Sequence, residues 1–205
     1  MLHIFSHSEA ANYEDIYNDM LRSRAYVFSD RLKWAVDVRD GKEFDNYDTI
    51  HDPLYIVVSN DEDQRHVASL RLLPTTGPHM LNTEFSHFFS EDICVQSPDI
   101  WECTRLCLHY SGKRKINAVL AIAELASALC RLTYNSGISQ IIGVYNHSMK
   151  RLYSRIGWEP NTLAKSLPKY GNIECGVWDI NNAVLQAVES HKQSVLIPTN
   201  ARKVA

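Results

Sequence analysis

The chain has 205 residues, of which 45% are apolar, and this is enough sequence for one well-buried domain. Its formal net charge of -3 argues against a nucleic-acid-binding surface spread over the whole protein. The five cysteines form an odd set without a CxxC pair, and no secretory signal is recognised, so we expect reduced thiols and a cytoplasmic protein.

Neither a metal site nor a membrane span is expected. Cys103, Cys107 and His109 lie close together in the sequence, but their spacing matches no common zinc-binding pattern. The most apolar stretch, residues 116–132, contains a glutamate and an arginine, which are both costly in a lipid bilayer. This stretch therefore predicts a buried core helix.

In chain order, the first predicted element is a helix that begins after Ser6 or Ser8 and runs toward Phe28, because apolar residues return at helical spacing. Arg24 and Phe28 are four residues apart, so they lie on one face of this helix. Residues 33–53 are polar and aromatic without a regular period, and they predict a long functional loop.

The middle of the chain predicts three strands. Residues 54–58 and 66–73 form a predicted hairpin around an Asn-Asp-Glu-Asp turn. A turn after Pro74 and a short helix around residues 81–89 lead to a third strand at residues 100–109.

The last part of the chain alternates between helices and strands. The predicted elements are a long helix from about residue 114 to 135, a strand at 138–145, a helix at 148–156, a strand at 173–180 and a helix at 181–191. Gly137 and Gly157 end the first two helices. This order predicts a single α/β domain over residues 1–194, with a mixed sheet flanked by helices, and a loose tail over residues 195–205.

Eight residues of the first half are charged or large and aromatic in settings that call for a function. Two of them, Arg71 and Glu102, fall within runs that otherwise read as buried strand, where a charge needs a partner or a role. The set suggests a pocket for a charged, aromatic-bearing small molecule. Its members are Arg24, Phe28, Trp34, Asp45, Asp48, Arg71, Glu102 and Arg105.

These residues fall in four motifs whose order and spacing resemble those of the acyl-homoserine-lactone synthases. The motifs are Arg24-x3-Phe28-x5-Trp34, Glu43-Phe44-Asp45-x2-Asp48, the run from Arg71 to Leu81, and Trp101-Glu102-x2-Arg105. The resemblance covers residues 1 to about 180. It implies a fold shared with GNAT-type acetyltransferases. It also implies a quorum-sensing signal made from S-adenosylmethionine and an acyl thioester, which is carried on acyl carrier protein or on coenzyme A.

The resemblance also implies roles for the eight residues. The substrate amine is protonated at neutral pH, so a nearby carboxylate can act as general base, and Glu102 is the candidate, with Arg105 beside it. Phe28 and Trp34 either contact S-adenosylmethionine or serve as core or loop-anchoring residues. The four charged residues either bind S-adenosylmethionine or form an ion-pair network that organises the site; they are Arg24, Asp45, Asp48 and Arg71. S-adenosylmethionine is then a substrate, and no cofactor is expected.

Glu102 and Arg105 raise a geometric problem. Side chains three positions apart on a regular strand point to opposite faces of the sheet. We therefore predict a bulge or a splayed strand end at this point, as is often found beside active sites.

The acyl group is expected to lie against apolar residues of the second half of the chain. These are Leu106, Leu125, Leu129, Ile142 and Gly143. Many members of the family have Ser-Arg-Phe where this chain has Thr104-Arg105-Leu106. Gly143 occupies a position where relatives that handle 3-oxo chains often carry threonine, so we hypothesise an acyl group without a 3-oxo substituent. The missing side chain could also widen the pocket for a longer or bulkier group.

An acidic carrier protein could be steered by two basic clusters, although surface solubility is an equal explanation. The clusters are Lys113-Arg114-Lys115 and the group Lys150, Arg151 and Arg155.

Two other functions remain open from the sequence. A GNAT-type N-acyltransferase of another amine would need a glycine-rich turn for the phosphates of coenzyme A, but residues 109–114 contain a single glycine. A non-catalytic sensor of S-adenosylmethionine or of an acyl carrier would not need the retained Glu102.

Overall fold

Nine strands and five α-helices make up the part of the chain that the computed structural model describes, residues 1–110 and 117–196. The strands are β1 (Leu2–Ser6), β2 (Val38–Arg39), β3 (Lys42–Glu43), β4 (Leu54–Ser59), β5 (His66–Pro74), β6 (Ile100–Leu108), β7 (Gln140–Asn146), β8 (Asn161–Lys165) and β9 (Ile173–Asp179). The helices are α1 (Glu14–Arg24), α2 (Asn46–Ile50), α3 (Ala118–Asn135), α4 (Lys150–Arg155) and α5 (Asn182–Leu196).

Seven of the strands form one mixed sheet in the order β1-β4-β5-β6-β7-β9-β8, and β2 and β3 form a small separate hairpin. Within the large sheet only β6 and β7 run parallel, and all other neighbours are antiparallel. The prediction of a single mixed α/β domain is confirmed by this architecture.

The alternating side chains of the central strands divide the core between the two faces of the sheet. Ile56 of β4 and Leu70 of β5 pack in one large cluster with residues of α3, on what we call the α3 face. Tyr55 and Val57 of β4 point the other way and pack in a cluster with Met20 of α1, on what we call the α1 face. The sheet is thus buried on both sides, as its apolar strands require.

The long helix α3 begins where its sequence offers a cap. Asn117 Oδ1 accepts hydrogen bonds from the backbone N–H of Val119 at 3.1 Å and of Leu120 at 3.4 Å. Gly137 follows the helix with a φ of +73°, the left-handed conformation expected of a C-terminal cap. Within residues 1–110 and 117–196, no helix is long and apolar enough to cross a membrane.

Both edge strands of the sheet, β1 and β8, were missed in the sequence. The single helix predicted before Phe28 consists of three consecutive segments in the structure. They are a 3₁₀ segment (His7–Tyr13), α1 and a π-helical turn (Ala25–Arg31). The expected loop at residues 33–53 contains the β2–β3 hairpin and α2, and two 3₁₀ turns replace the short helix around residues 81–89.

Some predicted features are shifted or fall outside the described residues. The last helix extends to Leu196, five residues past its predicted end and into the segment predicted as tail. The predicted start of the long helix at residue 114, the basic cluster at residues 113–115 and residues 197–205 lie outside the described part of the chain.

The parallel pair at the centre of the sheet opens into a cleft. β6 and β7 are paired only from Ile100 to Glu102 and from Gln140 to Ile142, although both strands continue for several residues. We call this opening the β6–β7 cleft. Its apex lies between Cys103 and Gly143, where a Cβ built on the glycine would lie 3.2 Å from the Cys103 carbonyl oxygen.

Replacement of Gly176 tests the packing next to this cleft. A Cβ at Gly176 would lie 2.8 Å from Pro160 Cβ and 2.9 Å from a ring carbon of Tyr145. We expect Gly176→Ala to lower the free energy of unfolding by about 1–3 kcal/mol through overpacking. Urea denaturation measures the change. Gly77→Ala is the matched control, because nothing lies within 4 Å of its added Cβ, and an equal loss in both variants would contradict the packing argument.

Candidate active site

A buried network of six charged residues lies on the α1 face of the sheet. Arg24, at the end of α1, donates from Nε to Glu43 at 2.6 Å and from its two terminal nitrogens to Asp48 at 3.1 and 2.8 Å. These three side chains are almost completely buried. Each ion is therefore held in contact with an opposite charge, as burial requires.

The arginines of β5 and β6 complete the network. Arg71 binds Asp45 through both terminal nitrogens and Asp48 at 2.9 Å, and its Nε donates to the Thr104 hydroxyl at 3.1 Å. Arg105 binds Glu43 at 3.0 Å and Asp45 at 2.7 Å. Three guanidinium groups thus face three carboxylates, and we call this set of Arg24, Arg71, Arg105, Glu43, Asp45 and Asp48 the ion network.

The short helix α2 positions two of the carboxylates. Asp45 is its N-cap, and its side chain accepts hydrogen bonds from the backbone N–H of Tyr47 at 3.0 Å and of Asp48 at 3.2 Å. The Asp48 carboxylate in turn accepts a hydrogen bond from the Asp45 backbone at 2.9 Å and from the Tyr55 hydroxyl at 2.8 Å. Burial opposes ionisation of Asp48, but Arg24 and Arg71 outweigh it and hold the pKa of this carboxyl well below its usual range.

A β-bulge brings Arg105 to the same face as Glu102. The register passes from the pair Arg71 and Thr104 to the pair Ser69 and Cys107, so that Leu70 lies opposite two residues of β6. Arg105 adopts a φ of +53°, which costs a residue with a side chain about 1–2 kcal/mol. The prediction of a bulge at this point is confirmed, and the ion pairs of Arg105 hold it in this conformation.

Glu102 lies beside the ion network but is not part of it. Its side chain is completely buried, and Oε2 accepts a hydrogen bond from the Met80 backbone at 2.7 Å. Oε1 has no hydrogen-bond partner among the described residues. Burial raises the pKa of Glu102 to about 8, although the Met80 N–H and the charge of Arg71 oppose the shift. Such a carboxyl can take up or release a proton near neutral pH.

Phe28 and Trp34 form an aromatic wall next to the arginines. Their rings stack with centroids 5.2 Å apart, and the Arg105 guanidinium lies 5.6 Å from the centre of the Phe28 ring. Phe28 is buried, whereas Trp34 is 49% exposed, so one aromatic surface remains open to a ligand.

The structure thus brings the eight candidate residues to one region of the α1 face. It adds residues that the sequence reasoning left without a role. Glu43 is a member of the network, and the hydroxyls of Tyr55 and Thr104 form hydrogen bonds with two other members. The Arg71 guanidinium also lies over the Tyr47 ring, 5.4 Å from its centre. Glu43 stands within the Glu43-Phe44-Asp45 motif, so its place in that motif was the available signal.

The residues proposed for the acyl pocket do not share one face. Leu106, Leu125 and Leu129 belong to the core on the α3 face. Ile142 points to the opposite face, where it packs with Leu81 and Phe89, because it alternates with Gly143 along β7. Ile142 thus lies on the other side of the sheet from the three leucines, and the assignment of an acyl pocket stays a prediction.

One residue of the basic cluster on α4, Lys150, already forms an ion pair within the protein. Lys150 Nζ binds Glu174 at 2.7 Å and the Thr162 hydroxyl at 3.0 Å, whereas Arg151 and Arg155 are exposed. Burial opposes ionisation of Glu174, but hydrogen bonds led by that of Lys150 lower its pKa to about 2. Lys150 thus links α4 to the end of the sheet, whereas the two arginines of this cluster face solvent.

Replacement of Asp48 tests the ion network. Asp48→Asn removes one negative charge and leaves Arg24 without its bidentate partner, so we expect a loss of about 3–5 kcal/mol in the free energy of unfolding. Urea denaturation at neutral pH measures this. Asp37→Asn is the control, because it breaks an exposed ion pair with Arg39 and should leave stability unchanged. Equal midpoints for Asp48→Asn and the unaltered protein would contradict a structural role of the network.

Comparisons with known proteins bear directly on this site. Residues 7–182 match the model of a family described as autoinducer synthase. An acyl-homoserine-lactone synthase of Rhizobium etli is 46% identical over 181 residues, which are 88% of this chain and 84% of the relative. Another, from Pseudomonas aeruginosa, is 29% identical over 74% of this chain and 76% of its own length.

Solved structures of several other proteins superpose on this chain and have the same fold. The AHL synthase LasI superposes with a TM-score of 0.80 at 24% identity, covering 93% of this chain and 94% of its own. The CoA-dependent acyl-homoserine lactone synthase BjaI, solved with SAM and isopentyl-CoA, gives 0.79 at 23% identity over 97% and 90% of the two chains. An acyl-CoA N-acyltransferase from Pseudomonas aeruginosa gives 0.53 at 15% identity over 88% and 99%, so the GNAT-like fold is also confirmed. On the match of its family model, the chain belongs to the autoinducer synthases.

Proposed function

We propose that this chain is an acyl-homoserine-lactone synthase that transfers an acyl group from a thioester to the amine of S-adenosylmethionine and then closes the lactone. The observation that carries this proposal is the buried Oε1 of Glu102 beside the β6–β7 cleft, which has no hydrogen-bond partner within residues 1–110 and 117–196. A buried carboxylate oxygen without a hydrogen bond is costly, and a substrate ammonium would supply the missing partner.

The first step needs a base. Glu102 takes a proton from the substrate ammonium, and the freed amine nitrogen attacks the thioester carbonyl carbon. The carbon–sulfur bond of the thioester then breaks, and the carrier leaves as a thiolate that takes up a proton. The raised pKa makes the ionised carboxylate of Glu102 a stronger base than the carboxylate of an exposed glutamate.

The second step closes the ring. The carboxylate oxygen of the bound S-adenosylmethionine attacks its own γ-carbon, the bond from this carbon to the sulfonium breaks, and methylthioadenosine leaves with the electron pair. The stacked pair of Phe28 and Trp34 suits the flat adenine and the cationic sulfonium, because an aromatic face attracts positive charge.

The ion network organises the site in this proposal. Its arginines already bind carboxylates, which favours a structural role over direct binding of the substrate carboxylate. This role holds α2 and the β6 bulge around the substrate and leaves Trp34 and Glu102 to contact it.

The remaining assignments follow from this function. S-adenosylmethionine is a substrate, and no cofactor is required. The acyl donor is an acyl carrier protein or acyl-coenzyme A, and the similar BjaI was solved with isopentyl-CoA. A synthase domain over residues 1–194 with a tail over residues 195–205 stays a prediction, and α5 continues two residues past this boundary, to Leu196. A cytoplasmic location stays a prediction.

Replacement of the proposed base tests the mechanism. We expect the unaltered chain, incubated with S-adenosylmethionine and a panel of acyl thioesters, to form acyl-homoserine lactone and methylthioadenosine in equal amounts by mass spectrometry. Glu102→Gln should lower kcat/KM by about 10²–10⁴-fold, the usual contribution of a general base. For the unaltered enzyme, kcat/KM should rise with pH through about 8, because the base must be deprotonated.

A stability measurement separates this role from a structural one. The folded state keeps the Glu102 proton up to about pH 8, above the pH at which the unfolded chain releases it, so the unaltered protein loses stability as pH rises through this interval. Glu102→Gln should not show this loss. A variant that turns over at the rate of the unaltered enzyme would remove Glu102 as the base.

The exposed arginines of α4 give a separate prediction about the donor. Arg151→Glu combined with Arg155→Glu should raise KM for an acyl carrier substrate severalfold, because the carrier is acidic and would be repelled. The same variant should leave KM for S-adenosylmethionine unchanged. Arg39→Glu, which reverses an exposed charge on the β2–β3 hairpin, is the control. An unchanged KM for the carrier would leave α4 without a docking role.

A further inference from the structure

The β6–β7 cleft joins two chemically different sides of the sheet. On the α1 face, the β6 side chains next to it are Glu102, Thr104 and Arg105, which belong to or adjoin the ion network. On the α3 face, Cys103 and Leu106 pack against the main apolar core. A thioester whose carbonyl reaches Glu102 can thus pass its acyl group through the cleft into apolar surroundings.

A second apolar cluster lies on the α1 face. Around Ile142 it is occupied by Leu81 and Phe89, and Ile142 belongs to the part of β7 that is still paired with β6. We call the apolar surroundings on the α3 face next to the cleft, formed by Cys103, Leu106, Tyr153 and Trp178, the acyl chamber.

The indole of Trp178 lies directly at the apex of the cleft. Its ring carbon Cζ3 is 3.4 Å from the position of a Cβ on Gly143. Gly143 pairs with Gly176 across β7 and β9. Because neither glycine has a side chain, the rings of Trp178 and Tyr145 lie close against the sheet at this pair. The Trp178 ring therefore occupies the position beside Gly143 that a side chain would otherwise take.

Trp178 is held firmly in this place. Its Nε1 donates a hydrogen bond to the Trp158 carbonyl oxygen at 3.1 Å. The rings of Tyr153 and Tyr145 pack edge-on against it, with centroids 5.0 and 5.6 Å away. A buried indole fixed on several sides cannot swing aside for a long chain without losing these contacts.

We propose that Trp178 forms the end of the acyl chamber and restricts the enzyme to short acyl groups. This inference rests on the proposed function, since it names the specificity determinant of the same site. The residue acts by steric exclusion, and it takes no part in proton transfer.

The test measures kcat/KM for a series of thioesters from butanoyl to tetradecanoyl. The unaltered enzyme should prefer the short end of this series. Trp178→Leu should move the optimum to longer acyl chains. The ratio of kcat/KM for the longest chain to that for the shortest should rise on the order of tenfold, because one methylene in an apolar pocket changes kcat/KM by about 10–200-fold. Trp178→Phe keeps a ring in the core and should shift the optimum in the same direction by less.

Two further variants make the result specific. Gly143→Ala would press its Cβ against Trp178 and should lower kcat/KM for the longest accepted chain more than for butanoyl. Ile56→Ala creates a cavity in the same core cluster on β4, with β5 between it and β6, and should leave the chain-length profile unchanged.

The outcomes separate this inference from the function on which it rests. Lactone from the unaltered enzyme together with an unchanged optimum in both Trp178 variants overturns the role of Trp178 alone. A preference of the unaltered enzyme for tetradecanoyl thioester does the same. No lactone from the unaltered enzyme with any thioester overturns the proposed function itself.

Discussion

Electrical neutrality inside a buried space is the constraint on which this site depends. An ion removed from water is stable in a protein only when opposite charges and hydrogen bonds replace its hydration. Arg24 and Arg71 are almost inaccessible to solvent, so each carboxylate of the ion network must be delivered accurately to a guanidinium. This requirement explains the capped helix α2, which lies in a segment that the sequence pattern leaves irregular.

The same network accounts for the unusual state of Glu102. The arginines nearby direct their hydrogen bonds to Glu43, Asp45, Asp48 and Thr104, and none of these bonds goes to Glu102. The hydrogen bonds that Glu102 accepts within the described part of the chain come from backbone N–H groups, so the cost of burial prevails and the pKa rises. The neutralised ion network and the separate Glu102 carboxyl thus have two different tasks: the network holds the fold, and Glu102 remains free to exchange a proton.

The sequence predicted the centre of the fold better than its borders. Strands β4, β5, β6, β7 and β9 carry continuous or alternating apolar residues, and all were found. The edge strands β1 and β8 were missed because most of their side chains are half or fully exposed, which removes the hydrophobic period that identifies a strand. The first helix was predicted as one element because its 3₁₀, α and π segments follow one another directly, and the apolar pattern of the sequence does not mark the boundaries between them.

At the site, residue types and their spacing along the chain predicted which residues take part, but they did not predict which side chains contact each other. The bulge at Arg105 followed from counting positions on a strand, because two side chains that meet one ligand must share a face. The partner of each arginine could not be predicted, since three carboxylates within six residues are equivalent in sequence and differ only in space. Ile142 is the opposite case, because its alternation with Gly143 along β7 already indicates in the sequence that the two residues face opposite sides of the sheet.

The positions of the ion network along the chain have a consequence for the order of folding. Its bonds join residues that are 19 to 62 positions apart, and they link the end of α1 with two strands of the sheet. Contacts of such long range form only after the chain has closed large loops. We expect the network to be absent from the folding transition state. Its interactions would then govern how slowly the finished protein opens, and the speed of its assembly would depend on the hairpins of the sheet.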